Sequence, residues 1–71
     1  MKITMTAGDL VADLAGRQWV VRDSAGVTIG WISPAGEYWS VSLLAGGAGD
    51  GRYYEPRDAL EAIAAKRATA P

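Results

Sequence analysis

Three stretches in the middle of the chain, residues 17–23, 27–33 and 38–44, alternate apolar and polar side chains with a period of two. Each is rich in Val, Ile, Trp and Tyr, so each predicts a β-strand. Ser24-Ala25-Gly26 and Pro34-Ala35-Gly36 lie between them. Both fit a three-residue hairpin loop, a type I turn closed by a left-handed glycine. Those loops imply a register. Asp23 opposes Val27, Val21 opposes Ile29 and Trp19 opposes Trp31; next, Ser33 opposes Glu37, Trp31 opposes Trp39 and Ile29 opposes Val41. Odd-numbered positions then share one face, carrying a row of Trp19, Trp31 and Trp39 beside a row of Val21, Ile29 and Val41. The opposite face carries Gln18, Ile32, Tyr38, Val20, Gly30, Ser40, Arg22, Thr28 and Ser42.

The flanks read as helix. Thr6 and Asp9 have capping-box spacing, Leu10, Val11 and Leu14 follow as one stripe, and Gly16 ends it, which predicts a short helix over 7–15. Residues 2–5 are either a short strand or an ordered tail. After the third strand comes the glycine-rich segment 45–51, with Asp50-Gly51 as a turn into a short fourth strand at 52–54. Pro56 suits the first position of a helix, Asp58 its first turn, Leu60, Ile63 and Ala64 its buried stripe, and Lys66 and Arg67 its last turn. That helix is expected to cover the tryptophan face, and Thr69-Ala70-Pro71 to fray. With no repeat, low-complexity linker or charge block, residues 1–71 read as one small domain. Its expected class is α+β: an antiparallel meander of three to four strands, a C-terminal helix packed on one face, and a short N-terminal helix.

Composition narrows the function. Hydrophobic residues are 49% of the 71, but thirteen are alanines, which leaves a small core. Seven Lys and Arg against eight Asp and Glu give a net charge of −1, so no bulk field draws the chain to phosphate backbones or anionic lipid. The absence of Cys and His removes disulfides, thiolate nucleophiles, the usual zinc sites and the commonest general base. Asp9 and Asp13 supply too few oxygens for a hard cation, and nothing in the spacing of Asp23, Glu37 and Glu55 marks a catalytic pair. The glycine-rich segment lacks the Gly-Lys-Ser/Thr ending of a phosphate loop and leads into a strand. No enzyme activity, metal or cofactor is therefore expected. No apolar run approaches the ~20 residues of a membrane span, and the N-terminus lacks a signal-peptide core, so the expected location is cytoplasmic. Ala, Gly and five Arg against two Lys suggest a high-GC bacterium or one of its phages.

Three tryptophans are a large aromatic load for so small a core. A cross-strand ladder under the helix accounts for them; the functional alternative is that one helix covers only part of the ladder and leaves an aromatic anchor exposed. On that reading Trp19, Trp39, Tyr38 and Ile32 contact another protein or a second copy of the chain. The second reading is nucleic-acid binding, with Arg17, Arg22 and Arg52 on phosphates and Gln18, Thr28 and Ser40 toward bases.

The segment Gly36-Glu37-Tyr38-Trp39-Ser40-Val41-Ser42-Leu43, then Gly51-Arg52-Tyr53-Tyr54-Glu55, then Pro56-Arg57-Asp58-Ala59-Leu60-Glu61-Ala62, resembles small three-stranded-sheet-plus-helix modules. The Arm-type DNA-binding domain of tyrosine integrases and the AP2 domain are of this kind, and small actinobacterial or phage proteins share the look. Tyr53 stands at the family's Phe, Glu55 at its Thr cap, and Asp58 and Ala59 at its Glu-Ala pair. The resemblance spans residues 27–67 and implies a sheet face that enters the DNA major groove. Those families carry basic strands on that face, whereas this chain places mostly neutral polar residues there.

Overall fold

Among the described residues, six strands run in chain order through one antiparallel sheet, each paired with the next: β1 (Thr4–Ala7), β2 (Leu10–Ala15), β3 (Gln18–Arg22), β4 (Thr28–Ala35), β5 (Tyr38–Leu43) and β6 (Arg52–Tyr53), followed by one helix, α1 (Pro56–Thr69). The computed structural model describes residues 3–44 and 52–69, with backbone alone for 68 and 69. The expected Asp50-Gly51 turn, the rest of the glycine-rich segment and residues 70–71 lie outside the described residues.

The expected α+β meander of three to four strands with a short N-terminal helix is corrected by this architecture. Residues 7–15 form no helix; they belong to a β-hairpin in which Ala7 opposes Leu10 and Met5 opposes Ala12 across a Gly8-Asp9 turn. Leu10, Val11 and Leu14 fit a helical stripe, but Leu10, Ala12 and Leu14 fit a strand face equally well, and six residues do not separate the two periods. Gly8 decides it, since its φ of 60° reverses the chain at the first position of a two-residue hairpin turn. The same device recurs at Gly16, φ 65°, between β2 and β3, and at Gly36, φ 68°, between β4 and β5.

Two registers set the faces. Between β3 and β4 the expected Ser24-Ala25-Gly26 loop is present. The Asp23 amide donates to the Val27 carbonyl at 3.0 Å, the Gly26 amide to the Asp23 carbonyl at 3.0 Å, and Gly26 has φ 83°. Asp23 Oδ1 also accepts the amides of Ala25 at 2.9 Å and Val27 at 3.0 Å. One residue further on, the ladder slips. Arg22 pairs with Thr28 but Val21 pairs with Gly30, so Ile29 is the extra residue of a β-bulge. Between β4 and β5 the turn is Gly36-Glu37, two residues and not the expected three, with Ala35 opposite Tyr38. Both differences turn β4 over relative to the expected register. Trp19 opposes Ile32 and Ile32 opposes Val41, while Trp31 opposes Val20 and Ser42 on the other face.

The helix forms where expected. Pro56 opens it, the Glu55 carbonyl accepts the Ala59 amide at 3.3 Å, Asp58 lies in its first turn, and Lys66 and Arg67 lie in its last. Ala59, Leu60 and Ile63 pack into a core with Met5, Leu10, Ala12, Trp19, Val21, Ile32 and Val41. α1 touches both edge strands, β1 and β6, as well as β2, β4 and β5. Six strands laid flat would separate those edges by about 24 Å, more than twice the ~10 Å width of a helix. The sheet therefore curls into a half-barrel around α1.

Candidate functional site

With α1 in the concave side, the outer face of the sheet has no helix over it among the described residues. Alternation along the strands and the observed pairings place Val11, Asp13, Gln18, Val20, Arg22, Trp31, Ser33, Tyr38, Ser40, Ser42 and Arg52 on this face. Trp31 stands on a central strand, half-buried, between Val20 of β3 and Ser42 of β5. It is absent from the helix-side core and from the side chains packed against that core.

A polar strip borders it. Ser33 Oγ donates to Gln18 Oε1 at 3.4 Å, and Ser40 Oγ donates to the Ser33 carbonyl at 3.4 Å. Beyond the strip, about 13 Å along β4 from Trp31, Tyr38 meets Tyr54 with ring centroids 5.2 Å apart and planes tilted by 47°. Tyr54 is 76% exposed. At the β1–β3 side, Arg22 Nη1 contacts Asp13 Oδ2 at 2.8 Å, and Thr4 Oγ1 donates to Asp13 Oδ1 at 2.8 Å. This cluster lets a buried carboxylate sit on the sheet satisfied.

The expected contact residues divide. Ile32 is fully buried beneath α1 and Trp19 is 9% exposed, so neither serves as an outward anchor. Trp39 is half-buried against the core, opposite Tyr53, and Tyr38 alone of the four belongs to the outer face. The physical reason is the reversed β4, which exchanged Ile32 for Trp31. The nucleic-acid set is brought together only in pairs, Arg22 opposite Thr28 and Ser40 opposite Arg52, and not as one patch. Arg17 is exposed in the β2–β3 turn, Arg22 is engaged by Asp13, and Thr28 lies at the far end of β4 from that turn. Ser40 bonds Ser33, and Arg52 lies on β6, about 14 Å across the sheet from β3. Asp23 is used by its own turn, and Glu37 lies at the other end of the eight-residue β4, so these two carboxylates do not converge; Glu37 and Glu55 flank the Tyr38–Tyr54 contact. No group of three or more metal-binding side chains occurs among the described residues.

Sequence reasoning missed Trp31, and Gly30 beside it was the available signal. An isolated glycine inside a strand pattern marks a bulge or a close backbone approach, and here it marks both. The recurrence Ala7-Gly8-Asp9, Ala15-Gly16-Arg17 and Ala35-Gly36-Glu37 was a second signal, one turn type used three times. No helix among the described residues is long and apolar enough to cross a membrane. No protein-family model, curated protein or solved structure matches the chain.

Proposed function

We propose that this chain is a non-catalytic binding module that engages another protein through the outer sheet face, with Trp31 as its anchor. The observation that carries the reading is a tryptophan on a central strand of a face that the helix leaves open. Tryptophan is among the residue types that dominate interface energetics, particularly when central and ringed by groups that exclude water. Val20 adds apolar surface, the Gln18, Ser33, Ser40 and Ser42 strip supplies a hydrogen-bonding rim, and the Tyr38–Tyr54 pair supplies a second aromatic contact at the corner. A protein partner is favoured over a polyanion because Arg22 is engaged by Asp13, and Arg52, the other arginine placed on this face, lies three strands away on β6. The composition, free of cysteine and rich in Ala, Gly and Arg, supports a cytoplasmic role in a bacterium or phage.

Affinity capture from host lysate, with and without nuclease, using wild type and Trp31→Ser side by side, tests this. One protein retained after nuclease by wild type, and weakened by roughly 30-fold or more in Trp31→Ser with the folded circular-dichroism spectrum kept, is the expected result. A partner held equally by both proteins overturns it, and a nuclease-sensitive capture replaces it with nucleic-acid binding.

A further inference from the structure

A second feature lies on the helix side, away from Trp31. Thr28 and Ile29 at the start of β4, Leu43 and Leu44 at the end of β5, and Ile63 and Arg67 of α1 line a half-open groove of about 190 Å³. The β-bulge builds one wall, because it lets Ile29 pack against the core side, while the Leu44 amide still bonds the Ile29 carbonyl at 2.9 Å. Four of the six described lining side chains are branched aliphatics, and none of the six is acidic. Among the described residues, neither the Thr28 hydroxyl nor the Arg67 guanidinium has a hydrogen-bond or ion-pair partner. Ile63 and Arg67 are one helical turn apart on the same side of α1, and both line the groove, so a cationic side chain borders its apolar lining.

We propose that this groove binds a small aliphatic carboxylate, its tail among Ile29, Leu43, Leu44 and Ile63 and its carboxylate on Arg67. Size and charge choose the ligand. An apolar cavity of about 150 Å³ takes a six-carbon ring, so this groove suits a tail of about six to eight carbons. A guanidinium with no internal partner is suited to a carboxylate, which it can hold by two parallel hydrogen bonds. A neutral or cationic amphiphile would leave that group unmatched.

Methyl NMR titration of the whole chain with octanoate, and with octanol as the neutral counterpart, tests the proposal. Expected are saturable shifts at millimolar octanoate for the Ile29, Leu43, Leu44 and Ile63 methyls, with Val11 and Val20 on the outer face unmoved. Octanoate should bind about five-fold more tightly than octanol, and Arg67→Gln should erase that preference while leaving octanol binding unchanged. Absence of saturable shifts, equal binding of the two probes to wild type, or an unchanged preference in Arg67→Gln each overturns it. Groove shifts that depend on protein concentration without ligand assign the groove to a second copy and also overturn it. The outer-face methyls keep this outcome separate from the Trp31 reading.

Discussion

Gly30 shows how much one missing side chain decides. A Cβ built there would meet the Ser42 carbonyl oxygen and lie 2.8 Å from Leu43 Cδ2. β5 therefore passes β4 too closely for any side chain at that point, and the position is buried. Backbone atoms of a paired strand cannot step aside as a flexible side chain can, so Gly30→Ala must open the β4–β5 ladder beside the bulge. The expected cost is about 1–3 kcal/mol, read as a lower urea midpoint with little change in slope. Loss of groove geometry should accompany it, since Ile29 and Leu43 flank the same point.

The hairpin turns obey a different rule. Gly16 and Gly36 have φ of 65° and 68°, and a Cβ at either would meet nothing within 4 Å. Substitution there is limited by backbone conformation alone. Gly16→Ala and Gly36→Ala should each lose about 1 kcal/mol, and the double variant about the sum, because separate turns act independently. Gly16→Asn should lose less than Gly16→Ala, since asparagine tolerates the left-handed region. Thermal denaturation of the four proteins checks this, and an equal loss for Asn and Ala would show that something other than φ governs the turn.

At the scale of the molecule, α1 is the plug of a half-barrel. It reaches both β1 and β6, so the curl of the sheet and the seating of the helix depend on one another. Leu60, fully buried, joins the cluster formed by Leu10, Val21 and Ile32. Leu60→Ala should cost about 2–5 kcal/mol, a large share of the stability of so small a domain. Fluorescence and far-ultraviolet circular dichroism should move together through that transition, because helix and sheet share a single core. If the helical signal melted first, with Trp19 fluorescence unchanged, the sheet would hold its curl without α1.

Some features were determined locally. Pro56, Asp58 and the Leu60–Ile63 spacing specify α1, and Ser24-Ala25-Gly26 with Asp23 specifies its loop, because caps and tight turns are closed by bonds among residues a few positions apart. Val20, Trp39 and Val41 were likewise placed in strands by composition. Three features were not legible in that way. Residues 10–15 carry a pattern that suits either period, and the pairing of β2 with both β1 and β3 selected the strand. The bulge at Ile29 and the two-residue turn at Gly36-Glu37 then decided which face of β4 meets the helix. A shift of one residue inverts a whole strand, and local sequence constrains it weakly. Only the closing of the sheet around α1 chose Ile32 for the core, left Trp31 on the open face, and brought Arg67 into the lining of an apolar groove.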